Sequence, residues 1–350
     1  HMVVDKKGKL LKAKFTRCMI RSAARLTYDD VQAVFDGKSA LNDALTPYIE
    51  NLRGAYEILA KARKNRHALE IDAPEREITL DDAGHVVKIQ TRERFDSHKM
   101  IEEMMILANV AAAQTLEKAD MPVMYRVHEP PAAEKVVALH DFLKSAHLNG
   151  IPKTSPSGKD FNDLLENVAQ TPKARMINEL VLRTQSQARY SPENLGHYGL
   201  ALEKYAHFTS PIRRYADLLV HRALITGLKL GEGGLTNGSD FEDLGEHISA
   251  TERRAQAAER EAEERYLAAY LADRVGERFA ATINGVSRFG LFVVLDNVFA
   301  EGLVPMKALP GYFSYKEEKQ ALVDDKTGKK YELGQAVDVL LKEATPVTGG

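Results

Sequence analysis

The chain has 350 residues, 44% of them hydrophobic and 28% charged, and its 48 Lys plus Arg against 50 Asp plus Glu leave a formal net charge of −2. That length fits roughly two or three domains with a core needing no covalent staples, and the ordinary composition excludes a disordered, collagen-like or low-complexity chain. One cysteine, Cys18, excludes an intrachain disulfide and a cysteine-rich zinc centre, and the near-neutral total confines any nucleic-acid binding to local basic patches.

Residues 1–26 hold eight Lys or Arg against the single acid Asp5 and contain no long apolar run, so they are not a signal peptide. The longest nearly apolar stretch, Met104 to Ala113, is about half a membrane span and contains Asn109. No membrane segment is expected, and the thiol-poor chain fits a reducing cytoplasm. Residues 2–6 and 9–23 read as strands joined by a turn at Lys7–Gly8, with Leu11, Ala13 and Phe15 on one face. Thr27 reads as a helix N-cap, with Asp29 and Asp30 in the favourable first turn. Pro47 reads as the first residue of a longer helix reaching about Arg66. Glu77–Leu80 and Val86–Arg92 flank the turn sequence DDAG as a hairpin. Helices are expected at about 98–118, 131–147, 160–169, 172–187, 211–227 and 239–273, with one Pro/Gly/Ser-rich loop at Asn149–Lys159. A boundary falls at Asp273–Glu277, after which FAATINGV, GLFVVL, EGLVPM and AVDVLL read as short strands. The expected fold is an α+β body over residues 1–274 followed by a small all-β OB-type barrel over residues 275–350.

The densest chemistry lies in HFTSPIRRYADLLVHR, residues 207–222. Ser210 followed by Pro211 reads as a capped helix start, with Ile212, Tyr215, Ala216 and Leu219 as an apolar stripe. Arg213 and Arg214 then join the free N–H groups of the helix N-terminus, and Thr209 and Ser210 add hydroxyls: the makings of a phosphate site. From the residues alone, a capped core helix with an Arg213–Asp217 ion pair is about as good a reading.

This segment resembles the signature of the ribonuclease II and ribonuclease R family. ARLTYDDV at 24–31, KMIEEMMILANVAAA at 99–113, YRVHEPP at 125–131 and ENLGHYGLALEKYAHF at 193–208 resemble family segments in the same order. Residues 277–345 resemble the RNA-binding OB barrel of ribosomal protein S-one type that ends these enzymes, and HYGL with the barrel resembles the ribonuclease R branch. The resemblance implies a processive hydrolytic 3′→5′ exoribonuclease that releases nucleoside 5′-monophosphates from single-stranded RNA with two metal ions, usually magnesium. Two-metal chemistry needs clustered carboxylates. The family run D-x5-D-x-D-D is absent: Asp29–Asp30, Asp81–Asp82 and Asp324–Asp325 are isolated pairs. The resemblance places the magnesium ligands upstream of this chain, so an N-terminal segment of the same enzyme is the expected partner beside single-stranded RNA, and PVTGG at 346–350 reads as the turn before a final barrel strand.

By the same resemblance Arg213 is the catalytic arginine at the scissile or terminal phosphate and Glu102 the glutamate at the terminal ribose. Arg214, Thr209 and Ser210 help hold the phosphates, Tyr28 lines the substrate path, and Glu261 lies on the RNA path, while His207, beside the signature, is read either as an RNA contact or as structural. Ile71 stands at a family aromatic position and receives no stacking role. Helix-face readings compete for Glu102 and Glu261, and a core reading for Tyr28. On the barrel, Arg288, Phe289 and Phe292 are the expected RNA face, with Tyr312, Phe313, Tyr315 and Lys316 a similar mixture further on, and a core reading competes for each phenylalanine. No H-E-x-x-H or G-x-S-x-G pattern accompanies the eleven histidines or Ser210. The alternative function is a catalytically inactive RNA-binding protein that keeps the channel and barrel.

Overall fold

Met2–Val4 (β1) and Leu10–Ala13 (β2) form an antiparallel hairpin whose turn is tied by the Asp5 carboxylate, which accepts from the N–H groups of Lys7 and Lys9 at 2.8 and 2.9 Å. The computed structural model describes residues 1–349 apart from 42–43, 72–74, 147, 149, 172, 237–239 and 317–320. The expected helix ends at 147, 172 and 239, and Asn149 of the expected loop, lie outside the described residues. The second strand is shorter than its alternation predicts. It ends at Ala13, Lys14 still exchanges backbone hydrogen bonds with His1, and among the described residues 15–27 run without a strand neighbour, leaving Met19 and Ile20 in solvent. Alternation specifies the faces of a strand, but a ladder also needs a second chain for its N–H and C=O groups.

Tyr28–Phe35 (α1) starts where its sequence signal placed it. Thr27 Oγ1 accepts from Asp30 N at 3.1 Å while the Asp30 carboxylate accepts from Thr27 N at 3.0 Å, a reciprocal cap. Thr46–Asn65 (α2) carries Pro47 in its first turn, and Arg76–Leu80 (β3) pairs with Val86–Thr91 (β4) across DDAG. Asp96–Lys118 (α3) is the central helix. Its Ala112, Ala113 and Leu116 pack on Ala216, Leu219, Val220 and Ala223 of a helix over Tyr215–Gly227, numbered α7 below. Small residues at this seam let the two backbones approach, and each fully buried leucine contributes about 2 kcal/mol.

Tyr125–Val127 (β5) and Arg189–Ser191 (β6) form an antiparallel pair that the sequence did not announce, because three residues show no periodicity. Between them Ala133–Ser145 (α4), Gly158–Val168 (α5) and Ala174–Thr184 (α6) enclose a second core around Phe161, Leu143 and Ile177. After α7 comes Phe241–Ala272 (α8), capped by Asp240. Its first turns bury Phe241 and Ile248 in the α3–α7 core, and its last bury Leu267 and Leu271 under the β-module.

The β-module consists of two antiparallel sheets. Ala336–Leu340 (β13), Arg278–Ser287 (β7), Gly290–Leu295 (β8) and Glu301–Pro305 (β9) lie side by side in that order. Phe313–Lys316 (β10), Ala321–Asp324 (β11) and Lys330–Glu332 (β12) form the other sheet. Ala281, Ile283, Leu291, Val293 and Leu322 make the shared core. The module is keyed to the α+β body where Arg76 Nη1 donates to the Phe299 carbonyl at 3.2 Å and the Arg175 guanidinium lies 4.7 Å from the Phe299 ring. Among the described residues no helix is long and apolar enough to cross a membrane.

Candidate functional site

The signature segment folds differently from its simplest reading. Helix α7 starts at Tyr215, with Arg214 at the N-cap position, and residues 210–213 form a separate turn in which Arg213 N and Arg214 N both approach the Ser210 carbonyl, at 3.3 and 3.1 Å. Asp217 is the cause. Wholly buried, it accepts from Ser210 N at 2.7 Å and from Arg214 Nε and Nη2 at 2.7 and 2.9 Å. The carboxylate therefore folds the preceding residues back before the helix begins, and Ser210–Pro211 is not the helix start. Asp217 pairs with Arg214 and not with Arg213. The expected apolar stripe breaks for the same reason: Ala216 and Leu219 are buried, but Ile212 on the turn is 103% exposed and Tyr215 is half-exposed. Arg213 is exposed and, among the described residues, makes no ion pair.

The segment leading into this turn is fixed by side chains from distant elements. Asn109 of α3 donates to Tyr205 Oη at 3.0 Å and accepts from Phe208 N at 2.9 Å. The Phe208 carbonyl is 2.9 Å from His221 Nε2, and the two rings stack at 4.3 Å. His207 Nδ1 lies 2.9 Å from Tyr190 Oη. Burial pushes the His207 pKa down to about 2, and the fields of Arg214, Arg126, His197 and Arg213 push the same way, so the ring is neutral. Arg126 of β5 lies 4.7 Å from the Tyr190 ring and is held by Glu252 of α8 at 2.6 Å. Thr209 Oγ1 is buried without a hydrogen-bond partner. A neutral imidazole, three arginines and an unused hydroxyl thus meet at one place, a set suited to an anion such as phosphate.

A second group gathers near the start of α3. Tyr28 stacks on His98 at 4.0 Å and 21°, and its carbonyl accepts from Ser97 Oγ at 2.9 Å. Glu102, one turn after His98, pairs with Arg94 and lies 3.6 Å from Arg63, while the buried Glu103 takes Arg63 at 2.9 Å and Arg66 at 3.7 Å. Tyr205, bonded to Asn109 in the first group, also feels the charge of Glu102 in the second. Burial raises the pKa of this phenol; Glu102 raises it further, while the Asn109 hydrogen bond and the fields of Arg214 and Arg126 act against the rise. The sequence reading missed Asp217 as the partner of Arg214, and also Arg126, Asn109, Tyr190, His98, Arg63 and Arg94. Only the first left a local signal, the three-residue spacing of a helical ion pair.

Glu261 stands elsewhere, on an exposed face of α8, paired with Arg265 at 2.6 Å. On the β-module Phe289 and Phe292 are exposed, and the Arg288 guanidinium lies 5.1 Å from the Phe289 ring. Phe292 faces Leu303 across β9 and Gly285 across β7, where a Cβ would come within 3.1 Å of the Phe292 Cβ. Of the later aromatics, Phe313 and Tyr315 turn into the core and Tyr312 turns out.

Among the described residues no three His, Cys, Asp or Glu side chains converge as a metal site. Glu102 and Glu103 are taken up by arginines, so the residues present do not fit a two-metal centre.

Residues 1–229 match the family model described as the RNB domain, and residues 272–344 match the S1 RNA binding domain. The chain is 37% identical over 353 residues to ribonuclease R of Escherichia coli (strain K12), a match covering 97% of this chain and 43% of that protein. It is 39% identical over 344 residues to ribonuclease R of Aquifex aeolicus (strain VF5), covering 97% and 49%. The chain therefore spans less than half the length of either relative. Its structure matches that of Mycoplasma genitalium RNase R in complex with ribose methylated single-stranded RNA, with a TM-score of 0.91, 26% identity, and 99% of this chain and 56% of that one covered.

Proposed function

The chain belongs to the RNB-domain family, and from that premise we propose that it is part of a processive 3′→5′ hydrolytic exoribonuclease acting on single-stranded or structured RNA in the cytoplasm. The carrying observation is Arg213, exposed and without an ion pair among the described residues, on a turn locked by Asp217 near the neutral His207. An arginine that no protein carboxylate has neutralised is free to meet the charge that develops on a phosphate in the transition state. Thr209, Ser210, Arg214 and His207 hold the neighbouring phosphate oxygens. Arg214 does so with what its Asp217 pair leaves free, and Thr209 with its unused hydroxyl.

Glu102 accepts from a hydroxyl of the terminal ribose, a contact that favours RNA over DNA. Tyr28, backed by His98, stacks on a base. Residues 275–350 act as the S1-type barrel, guiding the strand on Arg288, Phe289 and Phe292 toward residues 1–274, with Glu261 on the helix between them. The carboxylates for magnesium are assigned to a segment outside the described residues.

The test joins residues 1–350 behind the portion of the Escherichia coli relative that precedes the matched region, and follows 5′-labelled single-stranded RNA. Residues 1–350 alone are expected to bind RNA and leave it intact, while the joined protein releases mononucleotides from the 3′ end. If the joined protein binds RNA and releases nothing, the inactive RNA-binding reading takes its place.

A further inference from the structure

The β-module carries a second aromatic and cationic surface, on the β10–β11–β12 sheet and not on the sheet that bears Phe289 and Phe292. Tyr312, just before β10, is 68% exposed, and Lys326 Nζ lies 4.2 Å from its ring centroid. The exposure is built in. Tyr312 N donates to Asp324 Oδ2 at 3.1 Å, and the other oxygen of the same buried carboxylate accepts from Lys326 N at 2.9 Å and Thr327 N at 2.7 Å. Asp325 N donates to the Tyr312 carbonyl at 2.9 Å. Gly311 has φ +145°, and a Cβ there would overlap the Asp324 carboxylate, so the glycine admits this approach. One buried acid thus fixes both the tyrosine and the lysine loop against each other.

The charged group that lies over the ring is a cation. Of the acids in DDKTGKK, residues 324–330, Asp324 is consumed by the turn and Asp325 accepts from Ser314 Oγ at 2.7 Å. Lys330 is 3.9 Å from Glu332, while Lys329 Nζ lies 4.9 Å from the Tyr331 ring beside Lys326 in the same loop. An exposed, conformationally fixed aromatic ring with one ammonium group against it and a second in the same loop is a combination that binds single strands: a base on the ring, phosphates on the cations.

We propose that Tyr312, Lys326 and Lys329 form a second single-stranded RNA contact of the β-module, with a base stacked on the face of Tyr312 that Lys326 leaves free. The inference rests on the reading that this module binds RNA and adds a contact on its other sheet.

The chain has no tryptophan, so Tyr312→Trp places one indole at the proposed contact and Tyr48→Trp places one at a 69% exposed position on α2 as the control. Each variant of the 350-residue chain is titrated with an oligouridine of roughly a dozen nucleotides, with chelator present so that no hydrolysis is measured. Emission of the Tyr312→Trp protein should fall as RNA saturates, and that of the Tyr48→Trp protein should not. By anisotropy, Tyr312→Ala and the double change Lys326→Gln with Lys329→Gln should each weaken binding about tenfold, while Tyr312→Phe keeps it. Unchanged emission at saturation, together with unweakened binding by Tyr312→Ala, overturns the proposal. If Phe292→Ala still weakens binding in that case, the reading of the barrel stands. If the unsubstituted chain binds no RNA, both fall.

Discussion

Asp217 receives Arg214 through two hydrogen bonds, Nε to Oδ2 at 2.7 Å and Nη2 to Oδ1 at 2.9 Å, from a position with no solvent access. The same carboxylate holds Ser210 N. Asp217→Asn keeps the volume but removes the charge, leaving a largely buried guanidinium with one poor partner. Stability should fall by about 3 kcal/mol, read from urea unfolding of residues 1–350. An unchanged midpoint would show that the turn is held by its packing alone.

Arg213 makes no ion pair among the described residues and packs against little, so its loss should hardly touch stability. In the joined enzyme, Arg213→Ala should lower kcat by about a hundredfold or more while RNA affinity changes by a few-fold at most. Arg213→Lys should recover part of the rate, since a point charge replaces the fork. Equal losses in kcat and affinity would assign Arg213 to ground-state binding.

Burial holds His207 at about 2 and His197 at about 3, and it lowers His128 as well. These groups are neutral when folded, but they bind protons in the unfolded chain below about pH 6.5. The unfolded state therefore gains protons as pH falls, and stability rises with pH across this window. It is complete above the unfolded value and is lost at up to about 1.4 kcal/mol per pH unit for each such histidine below it. Thermal melts at pH 7.5, 6 and 5 should show a falling Tm, with a shallower slope for His197→Asn. A Tm independent of pH between 7.5 and 5 would contradict the buried, neutral assignment.

Gly285 leaves room for the Phe292 ring on the exposed face of the four-stranded sheet. Gly285→Val should displace that ring and weaken RNA binding about as much as Phe292→Ala, some five- to tenfold. The core residues Ile283 and Leu291 lie on the other face, so a small change in Tm is expected. Full affinity in Gly285→Val would remove Phe292 from the contact.

Local chemistry was legible in the sequence. Thr27 with Asp30, Pro47, and DDAG between alternating runs each act within about four residues, so their signals survive without the rest of the chain. The order of the family segments is equally a property of the chain, and it carries the α+β body and the barrel. What only the tertiary structure decided depends on partners far apart in sequence. Alternation predicts a strand to residue 23, but among the described residues no neighbouring strand meets it beyond Lys14. The start of α7 was moved from Pro211 to Tyr215 by a buried carboxylate seven residues after Ser210. Arg126, Tyr190 and His207 come together through a three-residue strand pair and a helix more than forty residues further on. Of three similar aromatics, Tyr312 faces out and Phe313 and Tyr315 face in, because Asp324 holds one backbone N–H from across the sheet. Periodicity and caps are written in neighbours along the chain, whereas the burial of a charge, and the residue it neutralises, is set by whatever the fold brings beside it.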